Sequence, residues 1–181
     1  MHIPSSLHPS ASTRPSQPRQ QHPQPGEEVV LLQDDMEQAN DTWLLRGPWG
    51  RVEADGRGKV FTESPDGPYE PNANVRLVSQ PIRLDVKDPR LEFALRFDTQ
   101  PGADPVTVEI AENHAHKTLR HDWVELARFS GQSDWGFYSL ALNGWENKEI
   151  QFRFRLQSDS QDQREGLQVD DVKLYGRALE V

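Results

Sequence analysis

The stretch "LEFALRF", Leu91 to Phe97, sets the fold class. Leu91, Phe93, Leu95 and Phe97 fall on one parity, and Glu92, Ala94 and Arg96 on the other. Successive side chains of a strand point to opposite faces, so this is a strand with one face in a core and one toward water. "VTVEIA" repeats the pattern with Val106, Val108 and Ile110 inward, and "IQFRFRL" repeats it with Ile150, Phe152, Phe154 and Leu156 inward. "EVVLL", "NVRLVS", "WVELARF" and "GFYSLAL" are further strand candidates, and no segment carries a ten-residue helical stripe. Turn signals separate them: "ADGRGK", "SPDGPYEPN", "VKDP", "TQPGADP", "LNGWENK" and "DSQDQREG". Short one-faced strands with this punctuation predict an all-β, antiparallel two-sheet sandwich.

The last strand breaks its own rule. In "GLQVDDVKLYG", Leu167 and Val169 share one parity and Val172 and Leu174 the other. Both halves stay buried only if a β-bulge or bend sits at Asp170–Asp171. Two carboxylates at a kink in a core strand need a cation, backbone donors or solvent.

Residues 1–26 are of another kind. They are rich in Pro, Ser and Gln, with prolines at 4, 9, 15, 18, 23 and 25. Proline lacks the amide that helices and ladders use, so this is read as a disordered tail, with the sandwich at 27–177. The first residues show neither the charged start nor the apolar core of a secretory signal.

Composition excludes several classes. The chain has 181 residues and no cysteine, which removes disulfides, thiolate metal sites and cysteine nucleophiles. A net charge of -9 argues against a nucleic-acid partner. No apolar run approaches the roughly 20 residues of a membrane span, so membrane insertion is not expected.

From Leu31 to Gly176 the chain resembles the MAM-like jelly-roll domain of the immune inhibitor A metallopeptidase type, an accessory module of bacterial surface proteins. The pieces come in order: "LLQDDMEQ", Trp43 and Trp49, "SPDGPYEPNANVRLVSQPIRL", "LEFALRFDTQPGADPVTVEIAE", "WVELARFSGQSDWGFYSLAL" and "IQFRFRLQSDSQDQREGLQVDDVKLYG". The resemblance implies a jelly-roll sandwich, at the cell surface or outside the cell, serving adhesion or attachment without catalysis. The HExxH helix of the associated peptidases is absent. The resemblance also implies a structural calcium between the first and last strands, held by Asp35, Glu37, Asp170 and Asp171, with Asp34 beside them. Calcium takes six to eight oxygens, which clustered carboxylates and carbonyls supply.

Other features compete with that reading. Trp145 in "LNGWENK" and Tyr69 in "SPDGPYEP" are the aromatics freest to stack on a sugar, which would make the chain a carbohydrate-binding module. Trp43, Trp49, Trp123 and Trp135 match core or sheet-edge positions. Arg153 and Arg155 are expected to pair with Glu92 or Glu109 on neighbouring strands. "ENHAHKTLRHDW" places His114, His116 and His121 near Asp122, a candidate zinc or nickel shell for a small metal-dependent hydrolase. A hairpin tip loses entropy when it gathers ligands, so a solvated loop is the favoured reading. The expected role is a binding or adhesion module whose partner is a protein or a glycan.

Overall fold

A computed structural model describes residues 23–113 and 122–180. The strands are β1 Glu28–Asp34, β2 Trp43–Arg46, β3 Gly50–Ala54, β4 Gly58–Thr62, β5 Asn74–Ser79 and β6 Ile82–Arg83, then β7 Lys87–Asp98, β8 Val106–Glu112, β9 Val124–Phe129, β10 Gln132–Ala141, β11 Glu149–Gln157 and β12 Gly166–Arg177. There is no helix among the described residues, and so none long and apolar enough to cross a membrane.

The strands form two antiparallel sheets. The first runs β10-β7-β12-β4-β3, with β1 also on β12; the second runs β2-β5-β11-β8-β9, with β6 also on β11. Leu91, Phe93 and Leu95 of β7 are wholly buried and face Phe152, Phe154 and Leu156 of β11, also wholly buried. Phe93 meets Phe154 edge-on at 5.1 Å between centroids, and Trp43 meets Phe152 edge-on at 5.6 Å. Each such ring removed from water contributes about 1.5–3 kcal/mol. The expected two-sheet sandwich is therefore what forms, with the alternation at 91–97 and 150–156 aimed as the sequence indicates.

Strand β12 carries the bulge its changed parity requires. Its pairing with β7 shifts between Asp170 and Lys173, and Asp171 has φ 49°. The shift coincides with a change of neighbour on the other side. Before it, Val169 pairs with Phe61 of β4; after it, Val172 pairs with Asp34 of β1. Asp170 and Asp171 lie in the gap between those two strands.

Beyond the long strands, the sequence reading left out β2, β3 and β4, which are short. It did find the turn that joins β3 to β4, where the Arg57 amide donates to the Ala54 carbonyl at 3.0 Å. Residues 1–22 of the expected tail lie outside the described residues. So do His114, His116 and His121.

Candidate binding face

The outer face of the first sheet is built by the outward parity of its strands. On β7 this parity carries Glu92, Ala94, Arg96 and Asp98, and on β12 it carries Gln168 and Asp170 before the bulge. Strand β10 is the edge, and its pairing with β7 shifts between Ser133 and Gly136, which turns Trp135 onto this face. Phe137 pairs with Ala94 and so faces outward, where it is 70% exposed. A phenylalanine this exposed in the middle of a strand is an unusual thing for a sheet face to present.

Arg57 stands at the middle of this face. Its Nε donates to Asp170 Oδ2 at 2.8 Å and its Nη2 to Asp171 Oδ2 at 2.5 Å. Its guanidinium also lies 4.4 Å from the centre of the Trp135 ring. Asp170 is almost fully buried. Burial raises its pKa, while the Arg57 guanidinium and the Asp171 amide pull the other way. The two carboxylates at the kink thus have a cation, and it is a guanidinium.

Clefts lie to either side of this clamp. One, of about 430 Å³, is lined by Glu53, Asp55, Arg96, Asp134, Trp135 and Gln168. A second of about 430 Å³ shares Arg96 and Asp134 with it and extends to Asp98 and Gln132. A third, of about 180 Å³, lies beyond the clamp and is lined by Asp35, Glu92, Phe137, Asp171 and Lys173 among others. Along β7 the three run from Asp98 to Glu92, a trough of roughly 20 Å at the usual rise per residue that the Arg57 clamp interrupts. Past its end, Tyr175 donates to Glu92 at 2.7 Å and lies under the Lys173 ammonium.

The residues singled out from sequence scatter differently. Asp34 is buried and fully used, accepting from the Met36 amide at 2.9 Å, Asn40 at 3.0 Å and Trp43 Nε1 at 2.7 Å. Glu37 accepts from the Lys59 amide at 2.9 Å, which ties the segment after β1 to β4. Asp35 and Asp171 open onto the same cleft, whereas Asp170 turns to Arg57. Among the described residues, no three histidines, cysteines or carboxylates are grouped to hold a metal ion.

Tyr69, expected at an exposed position, is instead 3% exposed. Its hydroxyl donates to Asp104 at 2.6 Å and accepts from the Gln100 amide at 3.2 Å. The loop "SPDGPYEP" folds inward here because Asp104, itself wholly buried, needs that donor. Trp145 is half-buried, packs against the core and lies under the Lys148 ammonium at 5.0 Å. Trp43 and Trp49 are core; Trp123 and Trp135 flank or occupy edge strands, each under an arginine. Arg153 and Arg155 both reach Glu109, as cross-strand pairing predicts.

Sequence reasoning missed Phe137 and placed Trp135 only by position. The signal for Phe137 was present: in "GFYSLAL" it shares its parity with Ser139 and Ala141, not with Leu140 and Leu142.

No known family profile matches the chain, and no curated protein sequence matches it. Solved structures do share its fold. The K1 cleaved adhesin domain of Lys-gingipain from Porphyromonas gingivalis W83 is similar at 13% identity over 84% of this chain and 99% of that one, with a TM-score of 0.56. The CBM22-2 xylan-binding domain from Paenibacillus barcinonensis Xyn10C is similar at 13% identity over 81% of this chain and 99% of that one, TM-score 0.55. A CBM29-2 carbohydrate-binding module complexed with cellulohexaose is similar at 12% identity over 85% and 94%, TM-score 0.51. At these identities the likeness establishes the β-sandwich fold.

Proposed function

We propose that this chain is a non-catalytic binding module that takes a glycan strand in the trough on the outer face of the first sheet. The observation that carries this is the placement of Phe137, exposed on the sheet face between Ala94 and the third cleft, with Trp135 two residues away on the same edge strand. Ring faces stack on the apolar CH groups of sugars, and a sheet holds them without the entropy cost of an ordered loop. Around the rings stand Arg96, Asp134, Gln168 and Glu92, which supply the donors and acceptors that hydroxyls need. The trough is long and open, which suits a chain of sugars better than a single small molecule. Its kin in fold include domains whose names say that they bind xylan or cellulohexaose, and adhesin domains, which fits a surface-located module.

Binding of neutral glycans is tested by a glycan array followed by titration calorimetry on the best hit. Phe137→Ala is expected to leave the melting temperature unchanged and to weaken binding on the order of tenfold, about 1.4 kcal/mol. An array without neutral hits, or a hit that Phe137→Ala does not weaken, sinks the reading.

A further inference from the structure

The outer face of the second sheet has the opposite character. Register places Arg46 of β2 opposite Arg76 of β5, and Arg76 opposite Arg155 of β11. Arg155 lies opposite Thr107 of β8, which lies opposite Arg128 of β9. One cross-strand row thus carries arginine on four of five strands. Like charges directly opposite one another on a sheet destabilise it, so such a row calls for counter-charge.

The protein supplies little. Arg153, in the next row, and Arg155 share one carboxylate, that of Glu109. Arg128 has Glu125, at 2.7 Å. The second contact of Arg155 is a neutral amide oxygen, Asn74 Oδ1 at 2.9 Å. No ion pair of the described residues reaches Arg46 or Arg76. The Nε of Arg76 is also buried without a hydrogen-bond partner. In this row and the one beside it, five arginines therefore meet two glutamates, Glu109 and Glu125, in a chain whose net charge is -9. Burial is the main push on the Arg153 pKa, downward; Glu109 works against it, and the nearby cations Arg155 and Arg76 add a smaller downward push.

We propose that the outer face of the second sheet is a second binding surface, which takes a carboxylate-bearing glycan laid across the strands along Arg46, Arg76 and Arg155. Neighbouring strands lie about 4.8 Å apart, so these guanidinium groups form a ladder of closely spaced charge. A free guanidinium matches a carboxylate in a planar, two-bonded fork; Arg155 has its Nη2 left beyond its bonds to Asn74 and Glu109. A single-stranded nucleic acid is the poorer fit, because it needs exposed rings for its bases and the Trp123 ring lies under Arg153 at 4.0 Å. The choice of a glycan among polyanions rests on reading the chain as a glycan-binding module; the charge row itself does not.

The test is calorimetric titration of the full chain with polygalacturonate oligomers at low salt, beside their methyl-esterified form and a single-stranded DNA of equal charge. The expected result is saturable binding to polygalacturonate, abolished by esterification, weakened by added salt and at least tenfold weaker in Arg46→Gln/Arg76→Gln. Phe137→Ala leaves it unchanged, which separates this surface from the trough. Arg46 sits exposed on the edge strand β2, so Arg46→Gln alone serves if the double variant does not fold, and is expected to weaken binding several-fold. The proposal is overturned by absent binding, by equal binding of the esterified form or by indifference to the arginine variants. Tighter binding of the DNA, or sensitivity to Phe137→Ala, overturns it equally.

Discussion

Arg57 and Asp170 are 113 positions apart in the chain, and their side chains meet at 2.8 Å over the bulge of β12. The arginine comes from the β3–β4 turn and the aspartate from the stretch of β12 between the residues paired with β4 and those paired with β1. The pair closes the gap that the strand's change of neighbour leaves.

Arg57→Ala therefore strands a buried carboxylate. Breaking a buried pair from one side costs about 3 kcal/mol or more. The cost depends on pH. Burial already raises the Asp170 pKa, and without Arg57 it rises further, so at low pH the protonated acid loses little and at high pH the ion loses most. Denaturant midpoints at pH 5 and pH 8 check this; an equal loss at both would contradict it.

Glu63 gives a second pH effect. It is buried at the end of β4, and its oxygens accept from the Leu167 amide at 3.1–3.2 Å. Burial raises its pKa from 4.5 to about 7, against the hydrogen bonds from Ser64 and the backbone. Below the unfolded value both states hold the proton, and this contribution to stability is fully present. As pH rises through about 7 the folded state must ionise a buried group, and on the order of 3 kcal/mol is lost. Glu63→Gln keeps an acceptor without the charge. Its stability relative to the parent chain is expected to improve between pH 5 and pH 8, and thermal melts across that range would reveal a flat difference if it does not.

Tyr69 is structural. Burial and its bond to Asp104 raise its hydroxyl pKa well above the ordinary range, so it stays a donor at any working pH. Tyr69→Phe leaves Asp104 one donor short and the Gln100 amide without its acceptor, at a cost of about 2 kcal/mol. Glycan binding in the same variant is expected to match the parent, because the ring is out of reach of the trough.

Calcium is expected to leave the melting temperature where it is, and EDTA likewise. Arg57 already bridges Asp170 and Asp171, and Glu37 is spent on the Lys59 amide. A rise of several degrees at millimolar calcium would show that Asp35 and Asp171 recruit further oxygens across their shared cleft.

What the sequence told of the fold came from parity. Alternation at 91–97 and 150–156 assigned both core faces, and its slip at Asp170–Asp171 located the bulge, because a buried strand cannot change parity for nothing. The site was less legible. Phe137 sat on the polar parity of its strand and could have been found there. Arg57 could not, since its role depends on a turn reaching a bulge far along the chain. Tyr69 misled for a related reason: prolines, a glycine and acids around it describe a loop, but its burial is decided by Asp104 from a different loop. The arginine row was equally hidden, because it exists only once the strand order β2-β5-β11-β8-β9 is known.

One pairing sets how the sandwich answers to force. The Gly26 amide donates to the Ala178 carbonyl at 3.2 Å, and the Ala178 amide to the Glu27 carbonyl at 2.8 Å, so the two flanks of the sandwich leave side by side. From there β1 and β12 run antiparallel, Glu28 against Arg177 through to Asp34 against Val172. Tension applied through both flanks would load that ladder one hydrogen bond at a time, peeling it open like a zip. A ligand held on either face while the flanks are pulled would feel the weakest mechanical axis of the domain, with the Arg57 clamp as the first stop in the tear.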